Sequence, residues 1–309
     1  MDFRQLRIFK SVYDAGSIVG AADVERCAPS VVAHHLVNLE SHLKQQLFER
    51  SARGVSPTPE GRQFYHHAMA ILRSIENAEG EMKNNTVGLT GRVVVGLAYS
   101  AVVGFGLPFI QRVMAEQPDL QLEIAESVSG STIEHLISTD IDFAVAYNPP
   151  RDQRLALTPL LEEELVCLGK PELVGDTSKP LTMDEFLTKK FVLARRGPRG
   201  RPTPNERDVQ KRLEEKASLF SQNVAAATMF VNSGSGVVLG TWANLRHQAF
   251  SSDIVGRPII NPAITRSLYL CERTDSPRSR SMAYVREVIL ECVMEEVSSG
   301  RWPSRSLRT

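Results

Sequence analysis

Ser30, Val31, His34 and Asn38 are the side chains of this sequence with the clearest chemical use. Serine, histidine and asparagine donate or accept hydrogen bonds at base edges in a DNA major groove, and valine can touch a thymine methyl. Their spacing gives that reading weight. Val32, Leu36, Leu39 and Leu43 recur at helical steps and form one buried stripe, which leaves Ser30, Val31, His34, His35 and Asn38 outside it. Pro29 suits a first helical position, the turn Arg26-Cys27-Ala28 leads into it, and the small Ala21 and Ala22 let another helix approach closely. The pattern is that of a helix-turn-helix, and it also fits the solvated face of an ordinary three-helix core.

The elements around it favour the first reading. Leu47 to Thr58 holds an apolar pair, Arg50 and Arg53 around a glycine turn, and a Ser-Pro-Thr exit, which outlines a two-stranded wing whose arginines meet phosphates or the minor groove. With Leu6, Phe9, Val12 and Tyr13 on a preceding amphipathic helix, the first sixty residues read as a winged helix-turn-helix. The charge is less expected. The chain of 309 residues has 36 basic and 36 acidic side chains, and Arg4, Arg7, Lys10, Arg26, Lys44, Arg50 and Arg53 are matched by Asp2, Asp14, Asp23, Glu25, Glu40, Glu49 and Glu60. Affinity for DNA then depends on where charges sit and on having more than one copy of the domain.

From Pro59 to Lys83 the residues Phe64, Ala68, Ile71, Ile75, Ala78 and Met82 follow steps of four and three, the seam of a coiled coil, before a Gly-Leu-Thr-Gly hinge at Gly88 to Gly91. This predicts a dimerisation helix between domains, against a plainer reading as a helix packed on its own domain. After Gly91 strands and helices alternate: strands at Arg92–Leu97, Leu120–Ile124 and Ile141–Tyr147, then Glu164–Leu168, Phe191–Ala194, Val237–Leu239 and Ser267–Cys271, with a last helix from Tyr284 to Val297. The expectation is a parallel α/β sheet in two lobes joined by crossing strands, with a ligand cleft beyond the strand ends. Ser100 falls where the first strand hands over to a helix, so its hydroxyl and the N–H groups of Ala101 and Val102 would suit a carboxylate or similar anion. The basic loop from Arg195 to Arg201 reads as solvated, or as supplying Arg195 to an anionic ligand.

In order and spacing, Met1 to Phe9, Ala15-Gly16-Ser17, Ala21-Ala22, Leu39-Glu40, Leu47-Phe48-Glu49-Arg50 and Thr58-Pro59-Glu60-Gly61 resemble the amino-terminal domain of LysR-type transcriptional regulators. Val95 to Ser100, Gln117-Pro118, Ile141 to Val145 and Val231 to Val237 resemble that family's effector domain, so the likeness covers nearly the whole chain. It implies a bacterial transcription factor that binds an interrupted inverted repeat in double-stranded DNA as a homodimer or homotetramer. A small-molecule effector and RNA polymerase are its further partners. The implied organisation is a winged helix-turn-helix over residues 1–58, a linker helix over 59–88, and a periplasmic-binding-protein-like effector domain over 89–309. Lobe I of that domain takes 89–163 and 268–297, and lobe II takes 164–267. The implied DNA contacts are Pro29, Ser30, Val31, Ala33, His34, Asn38, Arg50 and Arg53. Ser100 matches a position where the family often has a hydroxyl touching the effector, with Ser129, Ser131 and Asn148 in the same lobe; each serine is equally well a helix cap. Glu25, Ala28, Pro29, Ala33, Thr139 and Thr241 depart from the family's usual residues. Ser129-Gly130-Ser131 with Ala144 to Tyr147 leans towards the nitrogen-assimilation-control branch.

Other classes find less support. Cys27, Cys167, Cys271 and Cys292 are scattered without metal spacing, so free thiols are expected and neither metal nor cofactor. A redox-sensing regulator is the alternative, although it needs two cysteines within reach. No amino-terminal signal pattern and no apolar run long enough to span a membrane occur, which points to the cytoplasm. Gly234-Ser235-Gly236 with Gly240 has the wrong spacing for a dinucleotide fingerprint and reads as the end of a helix. No set of acid, base and nucleophile can be assembled for an α/β enzyme.

Overall fold

The structure, a computed structural model, describes residues 1–51, 54–83, 88–194, 207–246, 250–276 and 279–307. It forms two compact units, Met1–Arg92 with Ser138–Asp140, and Val93–Ile137 with Ile141–Thr309.

The first unit is built from helices α1 (Phe3–Ala15), α2 (Ile18–Glu25) and α3 (Pro29–Leu43), strands β1 (Phe48–Ser51) and β2 (Gly54–Pro57), and helix α4 (Pro59–Lys83). Asp2 and Gln5 cap α1 reciprocally, and Ser17 caps α2 by accepting from the Gly20 N–H. Ala28 has no side chain with which to cap α3, but Pro29 at its start lacks an N–H to satisfy and has its φ already set. Leu6, Phe9 and Val12 of α1, Ala21 and Ala22 of α2, and Val32, Leu36 and Leu39 of α3 close one core. β1 and β2 pair antiparallel from Phe48↔Pro57 to Ser51↔Gly54.

Three polar or small residues fix how this wing leaves the helices. Glu40 Oε1 accepts the N–H groups of Leu47 and Phe48 at 2.8 and 3.2 Å, so a helix side chain satisfies the first donors of the wing. Thr58 accepts from the Gly61 N–H at 2.9 Å, capping α4, while its hydroxyl donates to the Gln46 carbonyl. A Cβ on Gly61 would stand 2.0 Å from the Leu47 carbonyl oxygen.

Glu25, where the family usually has an apolar residue, accepts from Ser11 Oγ at 2.7 Å and Arg7 Nη2 at 2.9 Å, a polar clamp between α1 and α2. The proposed seam of α4 is divided. Phe64 and Ala68, joined by Leu72, pack into the core of their own unit, whereas Ile71 is 39% exposed, Ala78 is exposed and Ile75 is half-buried. The expectation of one continuous intermolecular stripe is thus corrected: part of it is already covered by α1 and the wing.

The second unit has two six-stranded sheets. Its elements are β3 (Gly91–Ala98), α5 (Tyr99–Ala101), a π-helical turn at Val102–Gly106, α6 (Leu107–Glu116), β4 (Leu120–Ser127), α7 (Ser129–Ile137), β5 (Phe143–Tyr147), β6 (Leu155–Glu164), β7 (Val166–Gly169), α8 (Pro171–Val174), β8 (Leu181–Thr182), α9 (Met183–Leu187), β9 (Phe191–Ala194), α10 (Arg207–Lys216), β10 (Leu219–Ser221), α11 (Val224–Asn232), β11 (Val237–Gly240), a 3-10 turn at Trp242–Arg246, β12 (Val255–Ile260), β13 (Thr265–Arg273), α12 (Arg280–Ser298) and β14 (Arg305–Ser306). One sheet runs β14-β6-β13-β5-β3-β4 and the other β10-β9-β11-β7-β12-β8.

The expected all-parallel sheets are mixed instead. β3 and β5 are parallel, but β13 is antiparallel to both β5 and β6, and β7 is antiparallel to β11 and β12. The cause is the pair of crossing strands: the chain leaves the first sheet after β6 and returns as β13, and Leu165 N–H bonds the Ile264 carbonyl at 2.8 Å where the two crossings pass. Gly234, at φ +72, ends α11 before β11, the helix-terminating role expected from its spacing.

Because the Leu47 carbonyl belongs to backbone that cannot yield cheaply, Gly61→Ala is expected to destabilise the first unit by about 1–3 kcal/mol. Denaturant unfolding of the full chain should show the loss in the transition of the winged-helix unit, with the transition of the second unit unchanged.

Candidate DNA-reading face and effector cavity

On α3, Pro29, Ser30, His34 and Asn38 are exposed, while Val31 and Ala33 are half-buried. The stripe Val32, Leu36 and Leu39 faces the core, so the polar residues stand opposite it as their spacing requires. Asn38 Nδ2 and His34 Nε2 lie 3.0 Å apart, one helical turn from each other, which holds the amide in one orientation. Val37, 53% exposed, lies on the same face and was not among the residues singled out from the sequence. Arg53 and the side chain of Arg50 lie outside the described residues.

In the second unit a cavity of about 420 Å3 lies between the two sheets' lobes. Ser100, Ser129 and Asn148 line it, whereas Ala101 and Ser131 do not, and Arg195 lies outside the described residues. Ala101 is fully buried, and the Val102 N–H donates to the Tyr99 carbonyl. Of the two backbone donors expected beside Ser100, the Val102 N–H is thus taken up within α5, a single short turn. Ser129 Oγ accepts the Tyr147 N–H at 3.1 Å, and Asn148, at φ +45, accepts the Ser267 N–H at 3.0 Å through Oδ1. Both tie the carboxyl end of β5 to its surroundings as well as facing the cavity.

The residue that sequence reading missed is Arg266. It lies on β13, its Nη2 donates to Ser100 Oγ at 2.7 Å, and its guanidinium stacks 3.7 Å over the Tyr147 ring. Nε and Nη2 both donate to Oε1 of Glu163, at 2.9 and 2.7 Å, and the Glu163 side chain is 1% exposed. The other carboxylate oxygen accepts the indole N–H of Trp302 at 2.9 Å. Trp302 is fully buried, stacked on Phe105, and a Cβ on Gly104 would meet its ring at 2.5 Å. Burial, and next the Glu163 carboxylate, push the Tyr147 hydroxyl well above its ordinary pKa, so it stays a phenol. No motif could have disclosed this group, because residues 163, 266 and 302 meet only through the fold.

On the facing lobe, Thr241 N–H donates to Asn244 Oδ1 at 2.9 Å. The usual proline at this position has no N–H, so Thr241 and Asn244 work as a pair, and this bond fixes which end of the amide is oxygen. The buried Asn244 Nδ2 makes no hydrogen bond.

Cys27, Cys167, Cys271 and Cys292 are free thiols, the last three buried. Burial pushes Cys167 up to about 12 and Cys292 up to about 11, and it also raises Cys271, so these thiols carry little thiolate. No described group of His, Cys, Asp and Glu could hold a metal, and no described helix is long and apolar enough to cross a membrane.

A helix-turn-helix unit with a polar reading face, followed by a two-lobed α/β unit enclosing a cavity, defines an effector-responsive DNA-binding regulator. Residues 3–62 match the bacterial regulatory helix-turn-helix protein model of the lysR family, and residues 87–292 match the LysR substrate binding domain. The chain belongs to the LysR family of transcriptional regulators and is not an enzyme. The nitrogen assimilation regulatory protein nac of Escherichia coli (strain K12) is 29% identical over 303 residues, covering 97% of this chain and 96% of the relative. The protein of that name from Klebsiella aerogenes is 28% identical, covering 95% of each. Among solved structures, a full-length OxyR variant from Pseudomonas aeruginosa superposes with a TM-score of 0.68 at 19% identity, covering 95% of this chain and 94% of that one. Full-length CbnR complexed with its target DNA gives 0.66 at 18%, covering 96% and 100%. Within the family, this chain leans towards the nitrogen-assimilation-control proteins.

Trp302→Phe keeps an aromatic ring and removes the indole N–H, leaving one oxygen of a buried carboxylate unpaired. A loss of about 1–3 kcal/mol is expected, read by thermal unfolding of the second unit.

Proposed function

We propose that this protein is a cytoplasmic regulator that binds an interrupted inverted repeat in double-stranded DNA as an oligomer and responds to a small molecule held between the lobes of its second unit. The outward face of α3 carries the DNA half of this reading. Its Ser30, His34 and Asn38 are exposed, and the hydrogen bond between His34 and Asn38 presets a side chain of the type that reads adenine edges. Val37 adds an apolar contact for a thymine methyl. Pro29, Val31 and Ala33 flank this face, and Arg50 and Arg53 of the wing supply phosphate contacts. Ser100, Ser129, Asn148 and Arg266 are the polar groups offered to the effector. Ile71, Ile75 and Ala78 are the part of α4 left for pairing with a second copy, and RNA polymerase is the partner through which a bound regulator acts.

Footprinting and quantitative binding at the promoter beside its own gene test the DNA half. Asn38→Ala should cost about 1–3 kcal/mol on the operator and relax discrimination there, whereas Arg50→Ala should weaken all duplexes alike and reduce the salt slope by about 1. Equal losses from Asn38→Ala on operator and random DNA would place a different face in the groove.

Assembly is tested separately. Replacing Ile71 and Ile75 by glutamate puts charge on the exposed side of α4 without touching Phe64, Ala68 or Leu72. Sedimentation should then show smaller species that no longer hold the operator, and an unchanged oligomer would assign pairing to another surface.

A further inference from the structure

Resting on the reading of the cavity as the effector site, we infer that its Arg266 subsite takes an uncharged hydrogen-bond acceptor, an amide or ketone carbonyl on an apolar body, and rejects a carboxylate. Among the described residues lining the cavity, Arg266 is the cation and Glu126 the anion, and Glu126 is exposed. An arginine in a ligand cavity ordinarily recruits an anion, because its charge is otherwise uncompensated. Here that demand is already met from inside the protein. Glu163, 1% exposed, takes both Nε and Nη2 of Arg266 on one oxygen, and Trp302 occupies its other oxygen.

A ligand carboxylate at the same guanidinium would place two anions, one of them the buried Glu163, on one half-buried cation. Glu163 cannot escape to water to relieve the repulsion, and both carboxylates would be desolvated. A neutral carbonyl meets no such penalty. Glu163 and Ser100 engage Nε and Nη2 of Arg266, which leaves Nη1 as a further donor nitrogen beside the Ser100 hydroxyl. The neighbouring Tyr147 hydroxyl is held in its neutral form. On the facing lobe the buried Asn244 amide nitrogen also lacks an acceptor, and its orientation is fixed by Thr241.

The remaining wall suits an apolar body. Leu165, Leu193, Val209, Leu213 and Ile264 give part of the wall an apolar face for such a body, beside polar residues that include Ser127, Gln210, Ser221 and Thr228. The site therefore selects by the absence of charge at one end of its ligand. Glu163 acts as a positioning residue: it touches no ligand, but it orients Arg266 and cancels its attraction for anions.

Matched pairs test this on the full chain near neutral pH, with hexanamide against hexanoate and 3-phenylpropanamide against 3-phenylpropanoate, by isothermal titration and thermal shift. Each amide should bind at least about tenfold more tightly than its acid, since opposing a buried like charge costs that much or more. Glu163→Gln should narrow or reverse the preference by raising affinity for the acids. The comparison on the unaltered protein stands even if that variant does not fold. Acids binding as well as amides would overturn the inference while leaving the cavity as the effector site. Binding of neither series would overturn both.

Discussion

The carboxylate of Glu163 is the constraint around which the second unit is arranged. At 1% exposure it has no water to solvate it, so its position is tolerable only where protein donors replace that water. Arg266 comes from β13, the strand returning from the other lobe, and Trp302 comes from the segment after α12. Two distant parts of the chain must therefore arrive at one point on β6 together. Removing one partner of such a pair costs about 3–5 kcal/mol, more than most single contacts can supply, so the register of β6 against β13 and the path of the terminal segment are coupled. Gly104 follows from the same requirement, because the indole occupies the space of its missing side chain.

The first unit depends less on charge than on where small and capping residues stand. Glu40 sets the start of the wing by taking two backbone donors, Thr58 caps α4 while holding the Gln46 carbonyl, and Gly61 lets α4 pass against Leu47. These residues carry the family likeness of the amino-terminal segment, and each has a local backbone reason. That is why the segment can be read from sequence: the cues act within about fifteen residues of chain, by backbone contact and cap chemistry. The polar outward face of α3 was legible for the same reason, because a helix with one buried stripe fixes what lies opposite it.

The cavity was legible only in outline. The strand and helix alternation foretold two lobes, and Ser100, Ser129 and Asn148 do line the space between them. The antiparallel crossings were not foreseen, because local patterns of hydrophobicity report that a segment is a strand but not which way its neighbour runs. Arg266, Glu163 and Trp302 were hidden for a related reason. An arginine beside a serine on a strand, a glutamate in a Glu-Glu-Glu run and a tryptophan in a short terminal tail each read as ordinary surface residues until the fold brings them within hydrogen-bond reach.

α4 shows why even a correct period can leave a function open. Residues 64, 68 and 72 are covered by their own unit while 71 and 78 are exposed and 75 half-buried, so a single run of apolar positions is only partly used within the unit. The covered residues anchor the helix to the winged domain, and the others are left for a partner on the proposed reading. This division matters because the domain's basic and acidic side chains cancel over the first sixty residues. The phosphate term that gives most DNA binders their nonspecific hold is then small for one copy, and tight binding has to come from linking copies, where effective concentration multiplies weak affinities. If the uncovered residues of α4 do pair two copies, the packing of that helix into the winged domain makes that multiplication depend on geometry. A modest change in how two copies are held apart, driven by a ligand between the lobes, can therefore alter operator occupancy without changing any contact to a base.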